Sequence, residues 1–480
     1  MTCRSLIFLC FLTVALLSWQ GAKGNTCNDC HVAERSGFTP AHSFGADNCT
    51  LCHGGDAQSA TQDESHAGMT GFPGLLDNAA TTCGSCHVEQ VSSVQHSLMN
   101  TGRGMVDVTR RLVEGDAGDA AHANLQSLGH GPADSMLRKL CASCHLGQAK
   151  TSHDLNPVSD RGGGCLACHI NSYPDDAHPA LTREVSDARC FGCHSRSARI
   201  SLSYAGLAET NGPVASDGHS GTPRPTRSRL RLPDGRYVER MPADVHFTAG
   251  LTCTACHKGA DLMAAAGDAV HQRDAVDARC DDCHSQMSAI VPAHDAAHER
   301  LDCATCHSQW VPQCFGCHME YDADGRQWDH IEQRETAGRW HEQRSDFHNE
   351  PGALGVTEDG RIELFIPGMI MTLVHPDWDE EKFVRAFAPI SPHTIGAARS
   401  CESCHRSSVA LGLGRGQIAL RDGEIQFTPS RSLSQDGLPA DAWTSIDGNL
   451  GGTAARDGHR PLNEDEMKAV LAAPLDSGIQ

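Results

Sequence analysis

Regular alternation of apolar and polar residues is confined to a few short stretches of this chain. Three stretches place an alternating segment next to an Asp-Gly dipeptide, which favours the tight turn of a β-hairpin. They are Arg229–Val238 around Asp234-Gly235, Arg361–Val374 after Asp359-Gly360, and Gln417–Phe427 around Asp422-Gly423. We therefore predict hairpins at the first and third stretches, and a hairpin or small sheet at the second.

Helical patterns are also short. The long gap between Cys83 and Cys141 contains Leu125–Leu140, which we predict to be a helix leading into Cys141. Near the end, Pro461–Ala473 contains Asn463 and Glu466 at the spacing of a capping box, in which each side chain accepts a hydrogen bond from the other residue's backbone. We predict a short helix there and many loops elsewhere.

The longest apolar run, Leu6–Leu17, lies between Arg4 and the small residues Ala22 and Gly24. This order is typical of a secretory signal peptide, which we assign to residues 1–24. The run is too short for a membrane-spanning helix, so we expect no transmembrane segment in the mature chain. An uncleaved anchor is the alternative. The predicted location is the periplasm or the cell exterior.

The pattern Cys-x-x-Cys-His occurs eleven times, as motifs 1 to 11 in chain order. In this pattern two cysteines can form thioether bonds to haem c, and the histidine can bind the iron. The motifs contain Cys27, Cys30 and His31; Cys49, Cys52 and His53; Cys83, Cys86 and His87; Cys141, Cys144 and His145; Cys165, Cys168 and His169; Cys190, Cys193 and His194; Cys253, Cys256 and His257; Cys280, Cys283 and His284; Cys303, Cys306 and His307; Cys314, Cys317 and His318; and Cys401, Cys404 and His405. Of the 24 cysteines, the only others are Cys3 and Cys10, in the predicted signal peptide. A zinc site or a redox dithiol does not need a histidine after every pair, so both are disfavoured.

On these motifs, residues 27–405 resemble the multihaem c-type cytochromes. The resemblance implies eleven covalently attached haem c groups. Without the predicted signal peptide, the 480-residue chain has roughly 41 residues for each of eleven haems, and its aromatic content is only 5%. This is little protein for a separate hydrophobic core, so we expect the porphyrins to form the core. The predicted fold class is irregular, with mostly short α-helices and loops packed around covalently bound haems and a few small β-hairpins, in a multihaem cytochrome architecture.

The motif spacing predicts a division of the chain into regions. After the signal peptide, residues 25–200 form an N-terminal multihaem region with six haems, and residues 201–245 form a haem-free insert. Residues 246–405 form a C-terminal multihaem region with five haems, within which residues 319–400 are haem-free. Residues 406–480 form a haem-free tail. The sequence Asp187–Ser195 resembles Asp277–Ser285, which indicates an origin of the two multihaem regions by duplication.

The formal net charge is −21 before any haem propionates are counted, which argues against nucleic acid as a partner. The chain has 33 arginines and six lysines. Codon bias is one explanation of this excess. The other is that arginine binds propionate carboxylates in a bidentate manner that lysine cannot match.

Of the 29 histidines, eighteen lie outside the motifs, which is enough to supply a second axial ligand to every iron. Two histidine ligands favour low-potential electron transfer over the binding of small molecules. Eleven histidines lie close to motifs and are predicted to be these distal ligands: His42, His66, His96, His153, His178, His246, His271, His294, His298, His375 and His393. A surface histidine is the alternative for each, and His122, His219 and His459 fit that alternative better.

Motifs 9 and 10 are separated by only six residues, so we expect their haems to be in close contact. The linking residues span at most about 23 Å when fully extended. Trp310 and Pro312 lie between the motifs and are expected to prevent full extension.

The predicted function is electron transfer through closely packed, mostly bis-His haems. Other cytochromes, a membrane quinol-oxidising complex or an extracellular acceptor are the expected partners. The alternatives are a multihaem reductase of a nitrogen, sulfur or metalloid oxyanion, or a subunit of an extracellular electron conduit or filament. Motif density gives a distant resemblance to the octahaem tetrathionate reductase and hydroxylamine oxidoreductase superfamily. Its special lysine ligand or haem-linked tyrosine cannot be placed in this chain, so we predict no catalytic residue.

Overall fold

The computed structural model describes residues 25–116, 118–150, 160–171, 178–195, 201–212, 229–264, 267, 269–285, 294, 297–343, 347–448 and 450–475. The predicted signal peptide and the predicted ligand His153 lie outside these residues. Within them, no helix has both the length and the apolar character needed to cross a membrane.

The chain forms two units. A small unit contains the residues up to Val91 together with Gly163–Val185, and a large unit contains Ser92–Gly162 and the residues from Ser186 onward. The small unit carries motifs 1, 2, 3 and 5, and the large unit carries the other seven. The region 25–200 is thus divided between the two units.

The helices are short, and four of the described α-helices begin at a motif cysteine. The α-helices are α1 (Cys27–Cys30), α2 (Cys49–His53), α3 (Gln62–Ser65), α4 (Leu76–Ala79), α5 (Val88–His96), α6 (Leu98–Thr101), α7 (Arg103–Glu114), α8 (Pro132–Met136), α9 (Ala188–His194), α10 (Ser201–Tyr204), α11 (Val245–Thr248), α12 (Cys253–Cys256), α13 (Gly259–Leu262), α14 (Gln272–Ala275), α15 (Cys303–His307), α16 (Glu402–His405) and α17 (Glu464–Ala472). Short 3₁₀ turns cover Ala33–Arg35, Pro40–Asp47, Cys83–Ser85, Ala120–His122, Leu125–Ser127, Ala142–Cys144, Gly164–Ala167 and Cys280–Asp282, and Leu137–Cys141 is a π-helical turn.

The described strands all lie in the large unit. They are β1 (Leu207–Thr210), β2 (Arg229–Arg231), β3 (Tyr237–Arg240), β4 (Val311–Cys314), β5 (Cys317–Asp329), β6 (Arg334–Gln343), β7 (Phe347–Glu350), β8 (Ala353–Val356), β9 (Ile362–Val374), β10 (Lys382–Pro389), β11 (Gly416–Arg421), β12 (Glu424–Pro429), β13 (Thr453–Ala454) and β14 (Arg460–Pro461). A seven-stranded sheet has the order β13-β10-β9-β5-β6, with β8 paired to β9 and β14 paired to β8. Strand β9 pairs with β5 in a parallel arrangement and with β10 in an antiparallel arrangement.

This sheet has an apolar core of its own. Phe365, Phe387 and Trp443 are buried, and the ring of Trp443 stacks on both phenylalanine rings at centroid distances of 4.8 and 5.1 Å. Fully burying a side chain of this kind contributes roughly 1.5–3 kcal/mol. The expectation that the chain has too little protein for a hydrophobic core is therefore wrong for this part of the large unit.

The small unit has much less apolar burial. Its buried apolar side chains, among the residues described, are Leu76, Ala79, Val91 and Ile170. These four residues do not form one of the hydrophobic clusters found in the large unit. The core of porphyrins expected from the sequence stays a prediction for this unit.

The local predictions are largely confirmed. The first hairpin is β2 and β3, paired antiparallel, and the third is β11 and β12. In the third, Asp422 and Gly423 have φ angles of 51° and 80°, which is the positive-φ turn that suits twisted strands. Helix α17 has the predicted capping box between Asn463 and Glu466. The helix predicted over Leu125–Leu140 begins instead at Pro132.

A buried ion pair joins the segment before motif 4 to the turn between β5 and β6. The Arg138 guanidinium donates to Asp329 at 2.8 Å and to Glu332 at 2.8 Å, and the Arg138 and Asp329 side chains are 5% and 2% exposed. Burial opposes ionisation of Asp329. Hydrogen bonds from the Glu332 N–H, the Arg138 guanidinium and the Ile331 N–H outweigh it and lower the pKa of Asp329.

We expect Arg138→Met to destabilise the large unit by about 3–5 kcal/mol, because it leaves the Asp329 carboxylate buried without its cation. The measurement is urea unfolding followed by far-UV circular dichroism. The matched control is Arg326→Met. The Arg326 side chain is 60% exposed, and its ion-pair partner Glu335 is 3.7 Å away. An exposed pair is worth about 0–1 kcal/mol, so equal shifts for the two variants would contradict the prediction.

Candidate haem-binding sites

Most motifs form a single helical turn that brings their three functional side chains together. In motifs 1, 3, 5, 7, 8 and 11 the histidine N–H donates to the carbonyl of the first cysteine at 2.8–3.0 Å. Motifs 2, 6 and 9 lie within the helices α2, α9 and α15. Residues three and four apart on such a turn face the same side, so both sulfurs and the imidazole can reach one ligand.

Motif 10 has a different conformation. Cys314 ends β4, Cys317 and His318 begin β5, and Gly316 between them has a φ of 76°. Strand β4 includes Pro312, so the second half of the connection from motif 9 is extended. The close contact predicted between the haems of motifs 9 and 10 stays a prediction.

Seven motif histidines each face one histidine from outside the motifs. The ring centroids of every pair are 6.1–6.4 Å apart. The pairs in the small unit are His31 with His66, His53 with His178 and His87 with His42. Those in the large unit are His257 with His393, His284 with His246, His307 with His294 and His405 with His298.

This separation matches two imidazoles bound on opposite sides of one metal ion. A bond from a metal to an imidazole nitrogen is about 2.0–2.1 Å, which puts the ring centre roughly 3.1 Å from the metal and two opposed rings about 6.2 Å apart. Direct packing of two rings does not require so narrow a range of distances, since aromatic pairs occur from about 4.5 to 7 Å. The seven pairs therefore fit haem iron with two axial histidines.

Hydrogen bonds determine which imidazole nitrogen of the paired histidines is available to bind a metal. The Nδ1 atoms of His53, His307 and His405 contact the carbonyl oxygens of Thr70, Gly396 and Val470 at 2.8, 3.1 and 2.6 Å. A carbonyl only accepts, so each Nδ1 carries the proton and each Nε2 has a free lone pair. The facing ligands His178 and His393 make the same kind of bond, to the carbonyls of Pro179 and Ser391.

Burial favours the neutral form that binds metal. It lowers the pKa of both His178 and His393, even though their carbonyl hydrogen bonds act in the opposite direction. Burial also lowers the pKa of the motif residue His194, and the nearby His257 and His393 add to this effect. A neutral imidazole can coordinate iron without first releasing a proton.

Three other predicted ligands contact groups other than a motif histidine. His96 Nδ1 bonds to the carbonyl of Ser92, and His271 Nε2 is 3.4 Å from Asp107. His375 lies among three aromatic rings, those of Tyr321, Trp340 and Trp378. Within the described part of the chain, no histidine ring stands at the paired distance from His169, His194 or His318. The second ligands of these motifs stay predictions.

Cysteines of different motifs also meet. The Cys83 and Cys165 thiols of the small unit are hydrogen-bonded, which lowers the pKa of Cys83 to about 6 and raises that of Cys165. In the large unit, Cys190 bonds to Cys253 in the same way, and Cys280 bonds to Cys303. These contacts place motif 3 beside motif 5, motif 6 beside motif 7, and motif 8 beside motif 9.

Residues 393–399, which precede motif 11, contact three other motif sites. His393 faces His257 of motif 7. The Ile395 N–H donates at 2.7 Å to Asp244, whose other oxygen accepts from His246, the residue facing motif 8. The carbonyl of Gly396 accepts from His307 Nδ1 of motif 9.

Arg399 extends this arrangement to motif 11. Its backbone N–H donates to the carbonyl of Cys306 in motif 9 at 2.9 Å, and its guanidinium contacts the sulfur of Cys404 at 2.8 Å. The segment 393–399 therefore sets the relative positions of motifs 7, 8, 9 and 11.

Sequence reasoning missed two residues of these sites, Asp244 and Arg399. Asp244 precedes His246 by two residues and caps α11, and an Asp at a helix start was a readable signal. For Arg399 no local signal was available, because its role depends on contacts with motif 9, far away in sequence.

Comparison with known proteins gives no relative: no family model, no curated protein and no solved structure matches this chain.

Proposed function

We propose that this chain is an exported c-type cytochrome that binds eleven haems and transfers electrons between partner proteins. The observation that carries the proposal is the set of seven histidine pairs, each joining one motif histidine to one other histidine at 6.1–6.4 Å. Each pair stands at a motif with two cysteines, which is the full set of protein groups that haem c requires.

The protein groups perform three tasks in this proposal. The motif cysteines hold the porphyrin, the paired imidazoles occupy both axial positions, and the backbone carbonyls keep Nε2 directed at the metal. When bound, haem c supplies reversible one-electron chemistry between Fe(III) and Fe(II). Two histidine ligands leave no position for a small molecule, which favours electron transfer over catalysis at these seven sites.

The partners that suit this function are other cytochromes, a membrane quinol-oxidising complex or an acceptor outside the cell. The net charge of −21 favours a partner with a basic docking surface, and complementary charge speeds association at low salt. Export to the periplasm or beyond agrees with the apolar run Leu6–Leu17.

The purified protein is expected to carry eleven covalent haems, because each of the eleven motifs is intact. Mass spectrometry of the denatured protein measures the number directly. A control variant with Cys314 and Cys317 both replaced by alanine should lose the mass of one haem. A mass corresponding to nine or fewer haems in the unaltered protein would refute the proposal.

A further inference from the structure

We propose that the buried guanidinium of Arg399 raises the reduction potentials of the haems at motifs 9 and 11. This inference rests on the proposed function, because it concerns the irons that His307 and His405 would bind. Arg399 acts on them through its positive charge, so it is a tuning residue and does not touch the metal.

Arg399 is held beside both motifs. Its backbone N–H donates to the carbonyl of Cys306 in motif 9 at 2.9 Å, and its Nη2 atom contacts the sulfur of Cys404 in motif 11 at 2.8 Å. Each of these cysteines directly precedes the histidine of its motif. The guanidinium therefore lies close to the iron-binding residues of two haem sites.

The rest of this guanidinium is buried without a counter-ion. The Nε and Nη1 atoms are shielded from solvent, and neither has a hydrogen-bond partner among the residues described. Within the same residues, no carboxylate forms an ion pair with Arg399. A guanidinium stays protonated in proteins, so its charge is permanent. In a buried position this charge acts over a distance with little screening by water.

The charge of Arg399 is felt at motif 9. Burial and the nearby Cys404 raise the pKa of the Cys306 thiol, whereas Arg399 acts in the opposite direction by stabilising the thiolate. A guanidinium that stabilises negative charge at Cys306 also disfavours additional positive charge on an iron bound by the adjacent His307.

The direction of the effect on potential follows from the charge of the iron. Fe(III) carries one more positive charge than Fe(II), so a nearby cation destabilises the oxidised state more and raises the reduction potential. Replacing the guanidinium with a neutral side chain subtracts one positive charge, whether or not a haem propionate pairs with it. The potentials at motifs 9 and 11 should then fall.

The test is a redox titration of the Arg399→Met holoprotein, followed by the haem absorbance. Two haems' share of the absorbance change should move to lower potential, while electron paramagnetic resonance shows no new high-spin iron. Arg399→Lys keeps a positive charge and should titrate much closer to the unaltered protein. If Arg399→Met leaves the titration unchanged or loses a haem, or if Arg399→Lys shifts it as far as Arg399→Met does, the proposal is overturned.

The matched control is Arg406→Met. Arg406 directly follows His405 of motif 11, but it is exposed, and its guanidinium donates to the carbonyls of His405 and Leu471. Water screens an exposed charge, so this variant should shift the titration less than Arg399→Met. Equal shifts in the two variants would contradict the role given to the buried charge.

A further variant tests where the shift occurs. His298 faces His405 of motif 11, and methionine in place of a distal histidine raises the potential of that haem, so His298→Met identifies the motif 11 component. Adding Arg399→Met should lower this same component, and a component that stays in place would overturn the inference. Eleven haems in the unaltered protein support the proposed function independently, so a missing shift at full haem content refutes this inference alone.

Discussion

Replacing Cys165 and Cys168 with alanine is expected to unfold the small unit as a whole, in addition to removing the haem of motif 5. Only four apolar side chains are buried in the described part of this unit. The Cys165 N–H donates to the carbonyl of Gly74 at 2.9 Å, so motif 5 also ties the second stretch of the unit to the first. Because a domain is stable by only about 5–15 kcal/mol, losing one of the four haems proposed for this unit is expected to exceed what its remaining contacts can offset.

Limited proteolysis measures this effect, with cleavage sites identified by mass spectrometry. Cuts should appear throughout residues 25–91, whereas the unaltered protein should resist cleavage there. The matched control replaces Cys314 and Cys317 of motif 10, which lies in strands covered by the apolar core of the large unit. That variant should keep its resistance to protease. If both double variants keep their resistance, the haems do not form the core of the small unit.

Replacing His178 with alanine is expected to convert one iron from low-spin to high-spin. His178 faces His53 of motif 2 at 6.1 Å, and its Nδ1 bond to Pro179 leaves Nε2 free for the metal. Removing the ring opens one axial position, and a five-coordinate or water-bound haem is high-spin. Electron paramagnetic resonance of the oxidised protein should then show a new high-spin signal of about one haem.

His122→Ala is the control for that experiment. The His122 side chain is 85% exposed and bonds to Asp119, so its loss should leave every iron low-spin. A His178→Ala variant without a high-spin signal would show that this pair does not bind iron. Because the signal is counted per iron, a change at several sites would indicate unfolding of the small unit instead.

Features fixed by neighbouring residues could be predicted from the sequence, whereas long-range pairing could not. The turn at Asp422-Gly423 and the cap of α17 depend on residues within a few positions of each other, and both are present. The seven histidines that face motifs were all among the predicted ligands. Which motif each one faces depends on the fold: His178 lies beside motif 5 in sequence but faces motif 2.

The seven-stranded sheet was only partly visible in the sequence, for physical reasons. Strand β5 begins inside motif 10, so its first residues carry the pattern of a haem site instead of a strand. Strand β9 contains Pro367 and Gly368, which are unusual within strands, and its pairing with β10 shifts register near them. The alternation of apolar and polar residues is therefore interrupted in β5 and β9, the longest strands of this sheet.

The division of the small unit into two stretches has a consequence for how the protein matures. Synthesis starts at the N-terminus, so residues 25–91 emerge before Ser92–Gly162, and Gly163–Val185 follow, in the same order if the chain is exported as proposed. His31 and His87 meet their partners His66 and His42 within the first stretch. His53 must wait for His178, so an iron attached early at motif 2 would keep one axial position open during translocation. If haem is bound at motif 2 as proposed, such an intermediate would be open to stray ligands until the second stretch supplies His178.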